Sequence, residues 1–227
     1  MHRPAATSPP APQTFSQNDA PGTPVDVTLL GVRVTAYAVI NIAEHSRREA
    51  AGLGAVINPA LLDHLLDLPV DIPVNDPVMW TEMADQPSGI LERGRDGTRI
   101  TRRLESPLTI PGVVVKATPG TELRSVQDAS LFAGFTRRWV EIARGGVPDA
   151  ALLEAKLCGV GIFAPGPRVL LPAEKPVALT IDGWSWLLEE KAYRSWLTHA
   201  LVMMRRRAQL QPLTEPARRG KADAASG

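Results

Sequence analysis

The stretch ILERGRDGTRITRRL, residues 90–104, gives the clearest local indication of structure in this chain of 227 residues. Asp96-Gly97 is a pair that tolerates the positive φ angles of a two-residue turn, and the flanking residues suit the two strands of a β-hairpin. With that turn, Leu91 lies opposite Arg102. Arginine then falls on both faces of the ribbon, so that neither face is a clean core face. The sequence therefore predicts a basic hairpin that projects from the body of the protein.

The arginines of this ribbon outnumber its acidic residues, and a projecting basic ribbon can lie in a groove or along the phosphates of DNA or RNA. The alternatives are a solvated arm and a dimer contact through arginine–glutamate pairs. A second basic run ends the last expected helix. There it complements the helix dipole, and it is also a candidate nucleic-acid contact. The candidate nucleic-acid-binding residues are therefore Arg93, Arg95, Arg99, Arg102, Arg103, Arg205, Arg206 and Arg207.

The remaining patterns predict an α+β fold in which a mixed or antiparallel sheet with β-hairpins packs against three or four helices. Residues 112–117, GVVVKA, have the composition of a buried strand. Apolar residues alternate in 25–34 with a change of phase that we attribute to a bulge near Gly31. We expect one helix at about 37–51. Asn58-Pro59 combines a helix cap with proline at the first helical position, and so predicts a second helix.

Residues 125–172 follow the order helix, glycine turn, helix and hairpin, which is the order of a winged helix-turn-helix. The first of these helices is expected to run from Ser125 to Gly145, on an apolar stripe of Phe132, Phe135, Trp139 and Ile142. The second, at 148–158, would be the recognition helix. Its charged residues are net negative, which disfavours insertion into a DNA groove. An ordinary pair of helices packed on a sheet is therefore the favoured alternative.

The composition limits the classes of protein to which this chain can belong. The chain is 44% hydrophobic and 22% charged, which is typical of a globular protein, and its net charge is +1. Residues 1–24 and 211–227 hold few large apolar side chains, so we expect both to be disordered around one domain at 25–210. Cys158 is the only cysteine, which excludes an internal disulfide and a cysteine-rich zinc site. No apolar run is long enough to cross a membrane, and a cytoplasmic location is expected.

No motif of an established active site occurs, and we expect neither a cofactor nor a metal. The leading hypothesis is a non-catalytic, nucleic-acid-associated protein, such as a regulator or a subunit of a nucleoprotein complex. One alternative is an enzyme with an unrecognised site, with Asp63, His64 and Asp67 as its first candidates. A degenerate nuclease-like fold is also an open alternative, although the residues at 149–156 that resemble a nuclease motif fall within one expected helix, where they cannot converge on a metal as that motif requires. A third hypothesis is a subunit that binds a protein partner, or itself, through its aromatic last helix.

Overall fold

The structure is a computed structural model that describes residues 21–75, 86–87, 89–95, 98–143, 146–165, 168–176 and 182–210, except for the side chains of 204–210. Its strands are β1 (Thr23–Leu29), β2 (Val32–Ile40), β3 (Pro73–Asn75), β4 (Leu91–Arg93), β5 (Arg99–Arg102), β6 (Leu108–Lys116), β7 (Arg137–Glu141), β8 (Gly161–Ala164) and β9 (Arg168–Leu171). Its helices are α1 (Ile42–Ala50), α2 (Pro59–Leu66), α3 (Glu122–Ser130), α4 (Asp149–Cys158) and α5 (Gly183–Leu210). The α+β class is therefore confirmed.

The main sheet is mixed and has the strand order β1-β2-β6-β7-β8-β9. The pairs β1–β2, β2–β6 and β8–β9 are antiparallel, whereas β7 pairs in parallel with both β6 and β8. The expected bulge near Gly31 is wrong. Leu30 and Gly31 have φ angles of 52° and 77° and form a two-residue turn. This reversal of the chain explains why the apolar residues on either side have opposite phases and yet face the same core.

The largest hydrophobic core lies between one face of this sheet and helices α2, α3, α4 and α5. Alternation along β6 divides its side chains between two clusters, because successive residues of a strand point to opposite faces. Val113 and Val115 belong to the large core, whereas Val114 packs with Trp139 and Phe163 on the opposite face. The predicted buried strand at 112–117 is confirmed as the second half of β6.

The helix expected from Ser125 to Gly145 is wrong beyond Ser130, because residues 137–141 form the strand β7. This strand lies between β6 and β8, and both of its faces are packed: Val140 belongs to the large core, and Trp139 packs with Val114 and Phe163 on the opposite face. Arg138, Trp139 and Val140 are accordingly buried in succession, with 6%, 2% and 0% exposure. In the chain a strand thus lies between α3 and α4, and the winged helix-turn-helix interpretation of 125–172 is also wrong. The second helix, α4, and the β8–β9 hairpin occur as expected.

The helix expected at 37–51 is shorter than predicted. β2 continues to Ile40, because residues up to this point still pair with β6. α1 begins only after Asn41, whose side-chain oxygen accepts the Glu44 N–H at 3.2 Å. The cap predicted at Asn58 is confirmed, since its side chain accepts the Leu61 N–H at 3.2 Å.

Strands β3, β5 and β4 form a small second sheet, in which Leu91 pairs with Arg102 as the hairpin predicted. The turn Asp96-Gly97 lies outside the described residues. The prediction that neither face packs on the core is wrong, because Ile100 is 1% exposed and belongs to the large core. Of the segment expected to be disordered at 1–24, Thr23 and Pro24 lie in β1, whereas 1–20, like 211–227, lies outside the described residues. None of the helices in the described part of the chain is long and apolar enough to span a membrane.

Candidate nucleic-acid interface: a cationic groove beside the edge strand

The first strand, β1, lies at an edge of the main sheet, and the middle of α5 covers that edge. An edge strand presents backbone groups that lack a neighbouring strand, and a covering helix is one way to protect them. Ser195 Oγ donates a hydrogen bond to the Asp26 carbonyl oxygen at 2.6 Å, and Lys191 Nζ donates one to the Thr28 carbonyl oxygen at 3.1 Å. Side chains of α5 thus take the place of a further strand.

A groove of about 620 Å³ opens where α5 passes this edge. The sheet contributes Asp26, Thr35 and Lys116 to its lining. The helix contributes residues spaced by three and four positions, which places them along one side of the helix: Lys191, Arg194, Ser195, Thr198, His199 and Val202. The groove therefore combines basic and hydroxyl side chains from two separate elements.

The single carboxylate among the lining residues, Asp26, is already neutralised. Arg33 Nη2 lies 2.7 Å from Asp26 Oδ2. The hydrogen bond from Arg33 is the main reason why the pKa of Asp26 lies below its usual value, and the charge of Lys116 lowers it further. A second depression of about 310 Å³ shares Asp26, Thr35 and Lys116 with the groove and extends to Arg33. The groove thus holds an excess of positive charge from Lys116, Lys191 and Arg194.

Such a set of donors can bind an anion. Ammonium and guanidinium groups form charge-assisted hydrogen bonds with phosphate oxygens. The hydroxyl groups of Thr35, Ser195 and Thr198 already donate within the fold, so the basic side chains are the donors that the groove offers to an anion. Within the described residues, no group of three or more His, Cys, Asp or Glu side chains is placed to hold a metal ion. The sequence did not reveal this site, because the last helix was noted for its aromatic residues and its basic end, and not for the charged side that lies between them. The spacing of Lys191, Arg194 and Thr198 was the signal that could have revealed it.

The structure separates the arginines of the predicted ribbon into two groups. Arg93, Arg95 and Arg99 are exposed. Arg102 instead turns inward, where it donates to the carbonyl oxygens of Leu65, Leu68 and Leu104 at 2.8, 3.1 and 2.8 Å. Its guanidinium carbon lies 4.6 Å from the centre of the Trp186 ring. Arg102 therefore links the small sheet to α2 and α5, and its Nε and Nη1 donate within the fold.

The remaining arginines that the sequence singled out differ in their surroundings. Arg103 forms salt bridges with Asp71 at 2.7 Å and with Glu92 at 2.6 Å. The residues 205–207 lie in the last turns of α5, and their side chains are outside the described ones. The ribbon and the groove occupy different parts of α5. Trp186, beside the ribbon, and His199, in the groove, are 13 residues apart, or about 20 Å along a helix.

A buried ionic cluster lies between α1 and α5, and no sequence pattern indicated it. Arg48 is fully buried and holds Glu190 through two hydrogen bonds of 2.8 and 2.6 Å. Its Nε donates to Glu44 Oε1 at 2.7 Å, and its remaining donors meet the carbonyl oxygens of Gly54 and Glu105. Burial by itself would lower the pKa of Arg48, but the bonds from Glu190 and Glu44 outweigh it and raise that pKa.

Next to this cluster, Glu189 lies in a setting that favours its protonated form. Ser106 Oγ is 2.5 Å from Glu189 Oε2 and 2.7 Å from the Leu108 carbonyl oxygen. A hydroxyl group has one hydrogen, so it cannot donate to two acceptors. Both contacts are satisfied if protonated Glu189 donates to Ser106, which then donates to Leu108. Burial, together with the nearby charge of Glu190, raises the pKa of Glu189 to about 7.

The remaining candidates from the sequence are the residues suggested for an enzyme and the aromatic residues of the last helix, and most of them contact other parts of the fold. Asp63 Oδ1 accepts the Gly183 N–H at 2.7 Å, at the start of α5, and Asp67 follows the last residue of α2. Trp186 and Tyr193 are buried as expected, whereas Trp184 is 45% exposed. The groove is therefore the described surface that best suits a ligand. Comparison of the chain with protein-family models, with curated proteins and with solved structures found no match.

Proposed function

We propose that the protein is a non-catalytic, nucleic-acid-associated protein that holds a sugar–phosphate backbone in the groove beside β1. The observation that carries the proposal is the convergence of Lys116 from the sheet with Lys191 and Arg194 from α5. The one acidic side chain in the groove, Asp26, is held by Arg33. Positive charge gathered in one concave surface suits a polyanion, in a chain whose net charge is only +1.

The chemistry of the groove favours phosphate contacts over base recognition. Its lining contains lysine, arginine and hydroxyl side chains, and its one aromatic ring is the imidazole of His199. Contacts of this kind position a protein on nucleic acid without reading its sequence. The exposed ribbon residues Arg93, Arg95 and Arg99 are a second contact within the same proposal, and a cytoplasmic location is part of it.

The test measures binding of fluorescein-labelled single-stranded and duplex oligonucleotides by fluorescence anisotropy, over a series of salt concentrations. The test variant replaces Lys116, Lys191 and Arg194 with glutamine. Each lost phosphate contact should flatten the plot of log affinity against log salt by about 0.7 to 0.9, so the slope should fall by roughly two to three units. Thermal melts check that both proteins are folded.

A matched control replaces three exposed basic residues away from the groove, Arg124, Arg168 and Lys175, with glutamine and so makes the same change in net charge. The control should keep the wild-type slope. A variant with Arg93, Arg95 and Arg99 replaced by glutamine measures how much the ribbon contributes to binding of the oligonucleotide. Absence of binding by the wild-type protein at low salt refutes the proposal. If affinity and salt slope fall equally in the groove variant and the control, binding depends only on the net charge of the protein, and the groove is not the site.

A second candidate function, an enzyme, is favoured by one observation. Glu189 has a pKa raised to about 7 and lies in hydrogen-bond contact with Ser106. A carboxyl group that titrates near neutral pH suits general acid–base chemistry. The residues that the sequence offered for an enzyme, Asp63, His64 and Asp67, lie on α2 and the residue after it, apart from this pair in the chain. Loss of a measured activity in Glu189→Gln, with unchanged nucleic-acid binding, would favour the enzyme.

A further inference from the structure

The fully buried side chains of helix α4 are alanines, and of its three leucines Leu152 packs against the core while the other two face outward. Ala151 and Ala155 are fully buried, whereas Leu153 and Leu157 are 60% and 75% exposed. A surface helix ordinarily turns its leucines toward the core, because each buried leucine contributes about 1.5 to 3 kcal/mol. In α4 two alanines occupy the buried side, and Leu153 and Leu157 face solvent. The exposed side of α4 is therefore built like an interface.

The residues on this side are arranged so that the helix is complementary to itself. Ala150, Leu153 and Leu157 are spaced by three and four positions and so share one face. Asp149 and Lys156, both exposed, are seven positions apart and lie along the same flank of that face. One end of the flank is thus acidic and the other basic.

We propose that α4 is the interface of a symmetric dimer, with a second copy of this chain as its partner. If the two helices run antiparallel with the two-fold axis at Leu153, Asp149 of each copy lies beside Lys156 of the other. The same arrangement sets each Leu157 against the small Ala150 of the opposite copy. A two-fold axis requires such a self-complementary patch, because each surface meets its own copy. The dimer does not depend on the proposed function of the groove.

The size of the interface sets the expected strength. α4 has ten residues and is about 15 Å long. Leu131, 48% exposed, ends the neighbouring helix α3, which packs against α4. A single pair of short helices buries less surface than a standard stable interface, so we expect a dimer that dissociates in the micromolar range or above.

Sedimentation equilibrium of the full chain, from about 1 to 500 µM, should show reversible association to a dimer. Leu153→Glu places two like charges at the axis and should weaken association about tenfold or more. Glutamate forms helices about as well as leucine, so the helix is kept. The control is Ile42→Glu, which changes an apolar residue that is 68% exposed at the start of α1. A wild-type protein that stays monomeric throughout this range overturns the proposal, as does an equal loss in the control.

Charge exchange tests the orientation of the two helices. Asp149→Lys and Lys156→Glu should each weaken the dimer, and the double variant should recover it. Failure to recover would refute the antiparallel arrangement. Leu153→Cys, in a chain with Cys158→Ser, should form a disulfide with its own copy under mild oxidation, because a residue at a two-fold axis meets itself. Ile42→Cys in the same background should not. Equal cross-linking of the two cysteine variants would place the axis elsewhere.

Discussion

Replacement of Glu189 with glutamine tests whether this carboxyl group is protonated in the folded protein near neutral pH. Glutamine keeps the shape of the side chain, and its amide N–H can donate to Ser106 Oγ as the protonated acid would. A rise of the pKa from 4.5 to about 7 corresponds to about 3 kcal/mol. Since part of the side chain is at the surface, we expect about 2 to 3 kcal/mol.

The sign of the effect follows from which state holds the proton more tightly. Because the pKa is higher in the folded state, the contribution of Glu189 is fully present below about pH 4.5. It is lost as the pH rises through about 7. The free energy of unfolding of the wild-type protein should therefore fall relative to that of Glu189→Gln over this interval. The two proteins should be similar near pH 4.5, and the variant should be more stable by about 2 to 3 kcal/mol at pH 8.

The measurement is urea denaturation of both proteins between pH 4.5 and 8, followed by tryptophan fluorescence. Titration of other groups changes both proteins alike, so the difference between them isolates Glu189. Glu49→Gln, an exposed position on α1, is the matched control and should show no comparable divergence. A difference that does not change with pH would refute the reasoning. A Glu189→Gln protein less stable than wild type at pH 8 would show that the ionised carboxylate is the bound form.

Two further predictions concern buried arginines. Arg48→Ala should lower the free energy of unfolding by about 3 to 5 kcal/mol, because Glu190 is left buried without its partner. The double variant Arg48→Met, Glu190→Gln should lose less stability. Equal losses of the two variants in denaturant melts would contradict this. Arg102→Gln should lower the free energy of unfolding by about 1 to 3 kcal/mol, because it leaves buried carbonyl oxygens without donors. The control Arg99→Gln, on the exposed side of the same strand, should change it by less than about 0.5 kcal/mol in the same melts.

Several local signals predicted local structure correctly, whereas the bulge near Gly31 was a local misinterpretation and the long helix after Ser125 failed because of contacts between distant parts of the chain. The hairpin register at Leu91 follows from a two-residue turn, and the cap at Asn58 follows from its neighbours. The apolar spacing around Trp139 fits a helix, but a central parallel strand buried on both faces can show the same spacing. Only the pairing of residues 137–141 with β6 and β8 decides between them.

The candidate site was harder to predict than the fold for the same reason. Sequence distance hides that Lys116 and Lys191 line one groove. It also hides that Arg102 is drawn inward by carbonyl oxygens at the end of α2 and by Trp186. A count of charges therefore treated the ribbon arginines as equivalent, whereas packing divides them into exposed and internal ones. The nucleic-acid hypothesis itself stays a prediction, now with the groove as its main site.

Covering of the β1 edge by α5 has a consequence for synthesis on the ribosome. The hydrogen bond to the Thr28 carbonyl oxygen cannot form until Lys191, 163 residues later in the chain, has been synthesised. At ordinary rates of translation this is an interval on the order of ten seconds. During that time the nascent chain displays an uncovered strand to its neighbours on the same messenger RNA. A cell that makes the protein at a high rate should therefore shield the β1–β2 hairpin with a ribosome-associated chaperone until the final helix emerges.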